Sequence, residues 1–132
     1  MNEVVGVPGL AEPVGFAHAV VAGPGRTVYL GGQTAQDVSG AIVGTSLVEQ
    51  FDVAAGNVAT ALRAAGAAPS DLVSLIIYTT VVPEYKASLA ELGPVWRKHF
   101  GRHYPAVALL GVAALFDDAA KVELVGTAVI PS

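Results

Sequence analysis

Tyr104-Pro105-Ala106-Val107-Ala108-Leu109-Leu110-Gly111-Val112 is the stretch on which the fold turns. Pro105 has no N–H to give a sheet ladder, and its fixed φ suits the first residue of a strand. The residues that follow carry no charge, the mark of a strand covered on both faces. Such a strand belongs at the centre of a small domain or against a second copy of the chain.

Downstream, Asp117-Asp118 makes a turn and Lys121 to Ile130 reads as a last strand. Upstream, Tyr85, Leu89, Leu92, Trp96 and Phe100 share one face of a helix predicted over Glu84 to Phe100. Gly93-Pro94 predicts a kink inside it, and Gly101 its stop. Leu72 to Val82, closed by Pro83, reads as a central strand of Val, Ile, Tyr and Thr. Before that strand, Leu47, Phe51, Ala54, Val58 and Leu62 repeat at helical spacing. Ser46 and Glu49 stand at capping-box spacing ahead of them, and Gly66 stands where the helix should end. Phe16 to Val21 and Thr27 to Gln33 read as two strands joined into a hairpin by Gly23-Pro24-Gly25-Arg26. Residues 1–14, broken by Pro8-Gly9 and Glu12-Pro13, read as an extended arm. The order is ββαβαββ. It predicts one α+β domain over residues 1–132, a mostly antiparallel sheet with two helices on one face.

Composition narrows the function. The 132 residues include no cysteine, which removes disulfides, thiolate metal sites and cysteine nucleophiles and fits a cytoplasmic protein. A net charge of −4 without a Lys/Arg cluster argues against nucleic acid as a partner. Glu3 sits where a signal peptide would be positive, and Ala106 to Phe116 is too short to cross a bilayer, so no membrane partner is expected. With 53% of residues hydrophobic and 14% charged, the polar coat is thin, as if subunit contacts cover part of the surface. No phosphate loop, dinucleotide fingerprint, metal-ligand cluster or nucleophile elbow is present, so neither metal nor cofactor is expected.

Four features carry possible chemistry. His18 lies in Gly15-Phe16-Ala17-His18-Ala19-Val20, where an alternating strand points it away from Ala17 and Ala19. Glu123 is the sole acid among Val122, Leu124 and Val125, so it is either solvent-facing or functional. Gly31-Gly32-Gln33 permits a close ligand approach or marks a bulge. His99, Arg102 and His103 read as a solvated group at a helix end.

Taken together, Gly15 to Val20, Val28 to Gln33, Gln50 to Leu62 with Ala64-Ala65-Gly66, Asp71-Leu72-Val73, Tyr104-Pro105-Ala106 and Val122-Glu123-Leu124 resemble the RidA/YjgF family (reactive intermediate deaminase, or endoribonuclease L-PSP). The resemblance runs from about residue 14 to the end. It implies a chorismate-mutase-like fold, a homotrimer and ligand clefts between subunits. The best-known members hydrolyse enamines and imines to a 2-keto acid and ammonia. In them a glutamate on the last strand places the water, and an arginine after the Pro-Ala pair clamps the substrate carboxylate. The glutamate corresponds to Glu123; the arginine corresponds to Val107. Valine cannot form the charge-assisted fork, so the substrate implied is a neutral or cationic small molecule unless Arg26 or Arg102 reaches in. Val107, Leu109 and Gly111 would then floor an apolar cleft, with Phe16 as its wall and His18 nearby. A Rid-like hydrolase with Glu123 and His18 as catalytic residues is one reading, with Phe16, Gly31, Gly32, Gln33, Val107 and Leu109 binding the substrate. A non-catalytic trimeric small-molecule-binding protein is the other, and the family's older ribonuclease label is a third.

Overall fold

The computed structural model describes residues 1–132. A four-stranded mixed sheet is built from β3 (Gly25–Tyr29), β4 (Leu72–Thr79), β5 (Ala106–Gly111) and β6 (Val122–Pro131). Its order is β3-β6-β4-β5, antiparallel throughout except for the parallel β4–β5 pair. A parallel pair needs a long crossover, and α2 (Val82–Ala87) with α3 (Leu89–Phe100) supplies it. These two helices and α1 (Leu47–Ala64) complete the α+β fold.

Alternation along the strands divides the sheet into two faces. Leu75 and Ile77 of β4 and Val122, Leu124 and Ala128 of β6 are almost fully buried against Phe51, Val58 and Leu62 of α1 and Trp96 of α3. Each of the larger aliphatic side chains among them contributes on the order of 1.5–3 kcal/mol of burial. The intervening residues, Ile76, Tyr78, Glu123, Val125 and Thr127, face the other way and stay partly exposed, because no helix covers them.

Local signals place α1 as anticipated. Ser46 Oγ accepts from the Glu49 N–H at 3.1 Å, and Glu49 returns the bond to the Ser46 N–H. Gln50, buried in α1, donates to Gly44 O and Ala119 O and accepts from the Lys121 N–H, tying the start of β6 to the helix. At Gly101 (φ 68°) α3 ends in a conformation that glycine adopts without strain.

Several expectations need correction. The hairpin does not form: β2 (Ala19–Val21) pairs with β1 (Glu3–Val5) of the N-terminal arm, while β3 pairs with β6. Five residue pairs with β6 outweigh the short ladder that β2 could offer. Strand β4 stops at Thr79, and Pro83 sits in the first turn of α2, where its missing N–H costs nothing. The second helix is split, but at Ser88 rather than at Gly93-Pro94. Ser88 Oγ donates to Glu84 O at 2.7 Å and satisfies a carbonyl near the break. Finally, β5 is an edge strand in the single chain, with Leu109 38% and Leu110 44% exposed, not a strand covered on both faces.

Candidate functional site

The register of the sheet decides which candidate residues meet. Val107 stands beside Leu75 and Leu109 beside Ile77, so both point toward the helices. There they help line a cavity of about 580 Å³ between the β5 edge and helices α2 and α3. Eleven of its 14 lining residues are hydrophobic, Phe16, Phe51, Leu92 and Trp96 among them. Volume and lining fall within the range of small-molecule sites. Trp96 is held in place by its Nε1–H, which donates to His103 O at 3.1 Å, and by stacking on Tyr104. Burial pushes the Tyr85 phenol at the cavity wall up to about 12, so it stays a neutral donor.

Glu123 stands beside Tyr78 on β4, hence on the opposite face. Tyr29 is paired with Thr127, yet Gln33 is bridged to Leu124, so the segment through Gly31 and Gly32 holds one residue more than β6 does. That extra residue is a β-bulge. It carries Gly32 against the carboxylate: a Cβ added there would stand 2.8 Å from Glu123 Cδ. The bulge and the close approach are thus one feature. Gln33 frames it through backbone bonds to Leu124, and its side chain donates to Gly31 O at 3.2 Å. Glu123 itself is half-buried and accepts no hydrogen bond within the chain. Such a carboxylate is available to a ligand or a water.

His18 lies outside both groups. Its Nε2 is 2.6 Å from Ala11 O, and its ring meets Phe16 edge-on at 5.1 Å. It lines a second cavity of about 380 Å³ beneath the arm, which Phe16 also borders. His99 and His103 are not a freely solvated pair. His99 Nε2 bonds Asp52 across α1 and α3, and His103 Nε2 bonds Leu72 O. Burial disfavours charge on Asp52, but the bonds from His99 and Lys98 outweigh it and hold its carboxyl below the usual range. No three His, Asp or Glu side chains converge as metal ligands, and no helix is long and apolar enough to cross a membrane.

Neither Arg26 nor Arg102 lines the larger cavity: Arg26 is an exposed residue of β3, and Arg102 borders the smaller one. The guanidinium that does line it belongs to Arg97 of α3. Sequence reading missed it because Arg97 follows Trp96 on a helix whose rotation about the sheet is set by packing. The signal was present at spacing i, i+4 from Gly93, which leaves room beside it.

The sequence profile described as Endoribonuclease L-PSP matches residues 10–130. The 2-iminobutanoate/2-iminopropanoate deaminase of Capra hircus is 30% identical over 105 residues, 79% of this chain and 73% of the goat protein. A Rid-family protein of unknown function from Yersinia pestis, known from its crystal structure, is 31% identical over 98% of both chains, with a TM-score of 0.87. A Mycobacterium tuberculosis member of the YjgF/YER057c/UK114 family is 29% identical over 89% of this chain and 88% of its own, with a TM-score of 0.65.

Proposed function

Because the chain belongs to the endoribonuclease L-PSP (RidA/YjgF) family, we propose that it hydrolyses a reactive imine or enamine as a homotrimer, at sites between protomers. One observation carries this reading. Glu123 and the cavity bearing Val107 and Leu109 lie on opposite faces of one sheet, and each is open on its outer side. A second protomer is the economical way to bring them together. Its bulge at Gly31-Gly32-Gln33 and its Glu123 would face the cavity of the first. The exposed edge of β5 and the apolar open face of β4 and β6 support the same assembly, since both are covered by it.

In the reaction, water adds to the C=N carbon while Glu123 takes one of its protons. That proton passes to nitrogen to give a carbinolamine. The hydroxyl proton then follows it to nitrogen through the same carboxylate, the C–N bond breaks, and a carbonyl compound and ammonia leave. An enamine first takes a proton on carbon to become the imine. Glu123 is the base that orients water. His18 is the second candidate for proton transfer, since its ring rests on Phe16, where the two cavities meet. Val107 offers no fork for a carboxylate on β5, so the substrate differs from that of members with an arginine there. The name of the goat relative supports the reaction class.

Ammonia release from a panel of imines tests this, with Glu123→Gln as the control. The variant should lose about 10²-fold in turnover while ligands still raise its melting temperature. Equal turnover in parent and variant would overturn the role of Glu123. The apolar lining also favours a second reading, a trimeric binding protein without catalysis. Ligand-dependent stabilisation of the parent with no ammonia released from any of the imines would select it.

A further inference from the structure

Arg97 is the one charged side chain among the residues lining the larger cavity. It joins none of the ion pairs, which are Lys98–Asp52, His99–Asp52 and Lys121–Glu84. Its guanidinium lies back along α3 over Gly93, where an added Cβ would stand 3.4 Å from Nη1 and 3.9 Å from Nη2. A methyl would fit at that spacing, but any longer side chain at residue 93 would displace the guanidinium. Around it the cavity lining includes four aromatic residues, Phe51, Tyr85, Trp96 and Tyr104. A lone cation with five free donors, set at the rim of an apolar chamber, matches an amphiphile with one anionic end.

We infer that Arg97 is the anion anchor of this cavity, which takes a small acid with a bulky apolar body, its carboxylate at Arg97 and its body against Trp96, Phe51 and Val107. The inference rests on the reading of this cavity as the ligand site. It deepens that reading by naming the class of ligand. The cation is carried on α3 instead of β5, so the anionic group is held at the helical wall. The space in front of Val107 is then left for hydrocarbon. This replaces the neutral or cationic ligand that valine at position 107 alone implies. Arg97 is exposed, so water screens the pair and the expected discrimination is modest, about fivefold to tenfold.

Isothermal titration of the full chain with phenylacetate and phenylacetamide tests it, since the two share a body and differ in charge. Phenylacetate should bind about fivefold to tenfold more tightly, and the difference should shrink as salt is raised. Arg97→Gln should bind both equally, whereas Arg97→Lys should keep part of the preference. Arg97 makes no side-chain bond in the fold, so both variants should melt with the parent. Equal affinity of the parent for acid and amide, a preference that survives Arg97→Gln, or failure of both probes to bind would each overturn the inference. The titrations need no turnover. A failed hydrolysis assay and a failed charge preference are therefore separate outcomes.

Discussion

The two faces of the β4–β6 sheet share a backbone and differ in almost everything else. Toward the helices, Leu75, Leu124 and Val122 are fully buried, each in contact with side chains from another layer. Away from them, Ile76, Val125 and Tyr78 are as apolar as their neighbours but remain partly open, with Glu123 among them. One face is finished within the chain and the other is not. The lesson is that alternation lets a single strand carry core residues and, at adjacent positions, residues that the core leaves open. On β4 and β6 a substitution at Leu75, Val122 or Leu124 should therefore read out as stability, and one on the open face as assembly or, at Glu123, as activity.

The sharpest break in that comparison is a matched pair on β4. Leu75→Ala removes buried methyl groups from the closed face and should cost about 2–5 kcal/mol in urea unfolding. Ile76→Glu, one residue on, leaves the helical core intact. It should instead convert the proposed trimer to single chains in light scattering, and a trimeric Ile76→Glu variant would show that the open face is not the contact. A smaller effect is expected at the bulge. Gly32→Ala places a methyl against Glu123, so turnover should fall while phenylacetate affinity stays near that of the parent. Unchanged turnover would remove the bulge from the site. The smallest effect concerns the helical layer. Asp52 is held below the usual carboxylate range by His99 and Lys98, so its contribution is complete above that range and is lost as the pH falls through the lowered value. Asp52→Asn should flatten the acid side of a stability–pH profile and leave the neutral plateau little changed in shape.

Much of this was legible in residues close together in the chain. Ser46, Glu49 and Gly66 bound α1 because capping and positive φ are satisfied within one turn. The strand character of Leu72–Thr79, Ala106–Gly111 and Val122–Pro131 follows from β-branched and apolar runs. The family was legible too, through the order of short matches from Gly15 to Glu123. The partner of each strand was not. Ala106–Gly111 and Val122–Pro131 are both apolar, yet one is an edge and the other lies inside the sheet, because pairing depends on the crossover through α2 and α3. The same holds for the arm, whose Glu3–Val5 takes the partner that turn chemistry had assigned to Thr27–Gln33.

For the candidate site the division is the same. Sequence alone singled out Glu123 and the Gly31-Gly32-Gln33 segment, each an oddity among its own neighbours, and the family resemblance singled out the valine at position 107. Only the tertiary structure put Val107 and Glu123 on opposite faces, gave His18 to the arm, and brought Arg97 to the cavity. Residue types and short spacings report local energies, such as a cap, a turn or a run of buried methyls. Which face a side chain shares with one eighty residues away is set by strand register and helix rotation, and these are decided by the packing of the whole chain.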